Sequence, residues 1–189
     1  MTLNNSITEE QKEAINRFFS YAKEYLDLIN QDQTHDLINR NVEHFLIFLT
    51  VAVENWMQVV EKNEGKIFRP SLKTLEEVEG LRSIVWTWEA RNTVAHRFMK
   101  YSSDTANLTV NGKVLRVNGK RLKMSGLFLV SVKNLAGNLI DRPTKNSLLV
   151  FQEAYEFWFY IFNKWLTGEI QSYTYKDLWA FFLNRTTKV

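Results

Sequence analysis

The sequence has no cysteine, so disulfides and thiolate metal sites are excluded, and the chain suits a reducing compartment. It has only two prolines and seven glycines in 189 residues, a shortage of breakers that favours long helices over many short strands. Histidine is scarce too: His35, His44 and His96 show no spacing that suits a shared metal, and no serine sits in a nucleophile-elbow context. The chain lacks G-x-x-x-x-G-K-[ST], G-x-G-x-x-G and H-E-x-x-H, so no nucleotide-phosphate loop or zinc-peptidase helix is expected, and no metal or cofactor. The longest apolar run, Phe45 to Val53 with one threonine inside it, is far short of a bilayer span. Met1 to Gln11 is polar and lacks the apolar core of a signal peptide. The expectation is a soluble, cytoplasmic protein that does not use a membrane.

Apolar residues are at an ordinary globular level, and the length suits one domain spanning 1–189 with a sizeable core. Thr8 and Gln11 form a capping-box pair, and Ile15, Phe18, Phe19, Ala22, Leu26 and Ile29 recur at helical spacing, predicting a first helix to about Gln31. A second helix, capped by Thr34 or Asp36 and running to about Asn63, is apolar nearly all round at its centre and belongs in the middle of the bundle. A polar stripe survives on it at Thr50, Glu54, Gln58 and Glu61, which reads as a solvent-facing strip or as Glu54 or Asn55 lining a site. His44, beside Glu43 on this helix, reads as structural, and His35 as a surface residue. After a loop containing Pro70, a third helix runs from about Leu75 through Val78, Leu81, Val85 and Trp88. A fourth, about Asn146 to Thr167 and ended by Gly168, carries a wide aromatic stripe that reads as core or as a dimer face. A short final helix spans Tyr173 to Leu183.

Between the third and fourth helices the period changes. Alternating segments surround Asn111-Gly112 and Asn118-Gly119, the strongest short-range hairpin signal, because type I′ turns need positive φ at both central residues. The fold expected is an all-α, four- to five-helix bundle with a small antiparallel β-hairpin or meander insertion around 106–133, with Leu127 to Val132 as a further strand of it.

Charge is unevenly spread. Residues 1–64 hold five Lys/Arg against eleven Asp/Glu, whereas residues 97–145 hold ten Lys/Arg against two aspartates. The basic stretch reads either as a surface that tracks phosphates or as a solvated hairpin with lysines on its edges.

That stretch follows directly on Trp86 to Tyr101, which combines aromatic and ionisable residues around Arg91-Asn92-Thr93-Val94-Ala95-His96. Arginine holds a fixed positive charge and histidine exchanges a proton near neutral pH, a pair suited to a phosphodiester. On one straight helix the two would lie about 140° apart. Glu89, Asn92 and His96 do share a face, with Asn92 placed to hydrogen-bond His96. Arg91 and His96 converge only if the helix bends or ends between them, or if two copies of it meet. Taken alone, Arg91 also reads as the partner of a glutamate in a salt bridge, and His96 as a satisfied core histidine.

R-N-x-x-A-H at the end of an amphipathic helix, in a small helical chain, resembles the Arg-x4-6-His motif of the HEPN superfamily of helical-bundle proteins. Many of these are ribonucleases of toxin–antitoxin, CRISPR-associated and abortive-infection systems. The resemblance implies His96 as the catalytic histidine, Arg91 as the arginine that stabilises charge on the phosphate, and Asn92 as the orienting polar residue. It also implies metal-independent cleavage of RNA and a homodimer in which both Arg-His sets line one composite site. Arg97, Lys100, Lys113, Arg116, Lys120, Arg121 and Lys123 would then hold the RNA backbone, with Glu89, Glu54 and Tyr101 in support. An antitoxin or defence-system partner is implied as well. One branch of the family carries a tyrosine two residues after the histidine, which a nucleotidyltransferase partner modifies; here that position is Phe98. The competing readings are a non-catalytic RNA- or nucleotide-binding module and a structural subunit that docks another protein through its aromatic helix.

Overall fold

A computed structural model describes residues 7–29, 31, 35–65, 69–96, 132–133, 136–141, 143–170 and 174–187, together with short strand segments between 106 and 124. Among these residues the chain forms six α-helices: α1 (Glu9–Ile29), α2 (His35–Glu64), α3 (Leu72–Glu77), α4 (Arg82–His96), α5 (Ser147–Leu166) and α6 (Tyr175–Leu183). It is an all-α bundle with small β pairs inserted between α4 and α5. No helix among the described residues is long and apolar enough to cross a membrane.

The helix ends obey local chemistry. The Thr8 amide donates to Gln11 Oε1 and the Gln11 amide to Thr8 Oγ1, each at 3.1 Å, so the capping box that opens α1 is made in both directions. Asn146 caps α5 by accepting from the Leu148 amide at 2.9 Å, and Gly168, at φ 73°, lets the chain leave it. Pro70 and Ser71 precede α3, whose first turn is tied by the Ser71 amide donating to Thr74 Oγ1.

One predicted helix is two. The run expected from Leu75 through Trp88 is broken at Val78, which is extended at φ −146° and ψ 97°, and a 3-10 turn over Glu79–Leu81 leads into α4. Apolar spacing survives such a break, since Leu81 is as fully buried as Ile84 and Val85; periodicity alone therefore does not reveal it. Gly80, the poorest helix former in this segment apart from proline, sits at the break.

The core lies where α1, α2, α4 and α5 meet. Trp56 of α2 stands edge-on to Trp158 and Trp165 of α5, with ring centroids 6.3 and 6.0 Å apart, and all three indoles are buried. The aromatic stripe on α5 is mostly interior: Phe151, Trp158, Phe162 and Trp165 are buried, Tyr155 is partly covered, and Phe159 is exposed. Its width comes from facing two sides, with Phe19 of α1 on Phe162 and Phe182 of α6 on Phe157.

The basic segment contains the two hairpins expected. Val110 pairs with Lys113 across Asn111-Gly112, and Val117 with Lys120 across Asn118-Gly119. In addition Ala106 and Asn107 pair with Met124 and Lys123, so first and last strands meet, as they do not in an open meander. Leu127 to Ser131 lies outside the described residues, and among the described residues Val132 joins no basic strand. It pairs with Ile140 in a separate hairpin turned near Gly137, with both residues buried against the helical core.

Candidate functional site

From Ser83 to Ala90 nearly every side chain of α4 is interior, including Ser83, Thr87 and Glu89. The hydroxyls of such a helix need partners, and Thr87 Oγ1 donates to the Ser83 carbonyl at 2.7 Å. The stretch that carries the candidate motif thus enters from the middle of the bundle.

Arg91 is the first residue after this buried run and only partly covered. Its Nη2 donates to Glu54 Oε2 of α2 at 3.2 Å, with the two side chains 23% and 29% exposed. The pair is neither a screened surface contact nor a fully buried one. The salt bridge read from sequence as one alternative for Arg91 is therefore present, and its partner is the glutamate also named in support of the site.

The polar stripe of α2 is correspondingly split. Thr50 is buried and gives its hydroxyl proton to the Leu46 carbonyl at 2.7 Å, Glu54 faces Arg91, and Gln58 and Glu61 are exposed. The solvent-facing reading holds for its second half alone. His44 lies among Tyr25 and Phe48 with its ring centroid 4.7 Å from that of Tyr25, and its Nδ1 is shielded without a hydrogen bond among the described residues.

α4 runs through both Arg91 and His96, so the helix does not end between them. Of the routes by which the two would converge, termination of the helix is excluded. Asn92 and His96 are placed by backbone only, and their side chains lie outside the described residues, as do Arg97, Lys100 and Tyr101 altogether. Lys113, Arg116, Lys120, Arg121 and Lys123 fall on strands, again by backbone, and Arg116 is registered opposite Arg121. Glu89 is 7% exposed, one short step along α4 from Arg91.

Sequence reasoning missed the surface features of α5 and α6. A groove of about 430 Å³ is lined by Lys145, Leu149, Glu153, Glu156, Phe182 and Arg185, with Lys145 paired to Glu153 and Arg185 to Glu156. The signal available was Leu149 interrupting a face whose neighbours are charged, which spacing alone assigns to no partner.

No protein-family model matches the chain, and comparisons with curated proteins and with solved structures return no match. The likeness to HEPN proteins therefore stands on the six residues Arg91 to His96 and the helical setting around them.

Proposed function

We propose that the protein is a metal-independent endoribonuclease of HEPN type, acting in the cytoplasm as a homodimer, within a toxin–antitoxin or antiviral system. The observation that carries the reading is Arg91, a largely covered side chain held by Glu54 on a helix that continues through His96. RNA contains its own nucleophile. The 2′-oxygen forms a bond to phosphorus while the bond from phosphorus to the 5′-oxygen breaks; one proton leaves the 2′-hydroxyl and one reaches the departing oxygen. His96 suits a proton transfer near neutral pH, Arg91 suits the charge that builds on the phosphate, and Asn92 would orient them. On a straight α4, Arg91 and His96 of one chain diverge by about 140°, and two copies of the helix, each supplying what the other cannot reach, would bring both groups to one phosphate. The basic strands would track the backbone around that cleft.

Purified protein incubated with single-stranded RNA in EDTA should yield fragments with new 5′-hydroxyl ends. His96→Ala and Arg91→Ala should each lower the rate by at least about 100-fold. Cleavage that persists in His96→Ala removes the site assignment. A monomer at micromolar concentration in sedimentation removes the composite cleft.

A second reading, an RNA-binding module that does not cut, draws on the same ion pair, because Glu54 neutralises the arginine. RNA binding without products, unchanged in His96→Ala, would favour it.

A further inference from the structure

The contact between Glu54 and Arg91 joins residues 37 positions apart, on two different helices. An arginine has several rotatable bonds, and the loss of rotamer entropy opposes fixing it. Partial burial of both partners limits access of water to the guanidinium, so an Arg91 N–H left without an acceptor oxygen there is unfavourable. The neighbours on the α2 stripe do not offer the same service. Thr50 spends its hydroxyl on its own helix, and Gln58 points to solvent. Behind Arg91 the α4 helix is locked into the core through Trp86 and Ala90, so its backbone is fixed and the guanidinium is the element left to orient.

We propose that Glu54 is a positioning residue: its carboxylate sets the direction of the Arg91 guanidinium before a phosphate arrives. The inference rests on the ribonuclease reading above and adds to it a residue that acts through Arg91 without touching RNA. What matters on this account is an acceptor oxygen at the right reach, and charge is secondary.

Two substitutions separate reach from charge while leaving little empty space. Glu54→Gln keeps an acceptor at the same distance and removes the charge; Glu54→Asp keeps the charge and draws the carboxylate back by one methylene. Steady-state cleavage of a short RNA should give a kcat for Glu54→Gln within about threefold of wild type, and for Glu54→Asp a kcat lower by about tenfold or more, with KM changed less than about threefold in both. The opposite order, Asp active and Gln impaired, would overturn the proposal in favour of a role for charge. Two variants that cleave like wild type, or either one cleaving more than about threefold faster, would overturn it as well. If Arg91→Ala abolishes cleavage while both Glu54 variants are unaffected, the positioning role falls and the ribonuclease reading stands. A wild-type protein that does not cleave removes both.

Discussion

A Cβ on Gly80 would lie 2.8 Å from Nε1 of Trp179 and 3.0 Å from two further atoms of its indole. The glycine is there for close approach, between the 3-10 turn that precedes α4 and the face of α6. The indole has little room to retreat, since it stacks on Phe182 at 5.5 Å and leans on Phe157 at 5.9 Å. Gly80→Ala should therefore destabilise the protein by about 1–3 kcal/mol, read as a lower urea midpoint with unchanged m. Adding Trp179→Phe removes the clashing atoms, and the double variant should fall short of the sum of the two single losses. Strict additivity would mean that the turn and α6 do not press on each other.

The buried indoles offer a second measurement. Trp158 is 2% exposed, touches Trp56 and Phe157 by its edge, and has Tyr175 edge-on as well. Trp158→Ala should cost about 3–5 kcal/mol, because the surrounding rings cannot close over the space left. A loss under about 1 kcal/mol would place the α5 stripe in an interface between molecules and not in the core.

Tyr155 predicts a response to alkaline pH. Burial, reinforced by the Asp27 carboxylate, raises its hydroxyl from the ordinary value near 10 to about 12, and burial drives Tyr175 upward too. Between those values the unfolded chain has released a proton that the native chain still holds, so stability falls as pH rises through that window and levels off above it. Thermal melting from pH 9 to 12 should therefore drop more steeply in wild type than in Tyr155→Phe. Equal slopes would show that the phenol does not couple to folding.

How far the sequence speaks depends on the range of the interaction. The α1 capping box, the Asn146 cap, the Gly168 stop and both Asn-Gly hairpins are local chemistry, and each is legible from a few adjacent residues. The break at Val78 was not, because the apolar period runs through it, and Trp179, against which the neighbouring Gly80 packs, lies about a hundred residues away. The site divides the same way. Arg91 and Glu54 could each be singled out, Arg91 by its motif and Glu54 by a polar stripe on an apolar helix. Their pairing depends on how α2 packs against α4, which spacing along either helix does not encode.

The basic hairpin sets Arg116 and Arg121 at directly opposed positions of its two strands, Arg116–Val117 and Lys120–Arg121. Like charges facing one another across a hairpin are unfavourable by a few tenths of a kcal/mol to about 1 kcal/mol, so a pair retained purely for folding is a poor choice. A polyanion that binds there would relieve the repulsion. Arg121→Glu turns the opposed pair into one of opposite sign, which should leave the hairpin intact or firmer while removing a positive charge from the proposed RNA-binding segment. Binding of single-stranded RNA, followed by fluorescence anisotropy between 50 and 200 mM salt, should then weaken, and the slope of log K against log salt should become shallower by about 0.7. An affinity and slope equal to wild type would return the lysines and arginines of this segment to the other reading, a solvated hairpin whose charges serve to keep its edges from pairing with other chains.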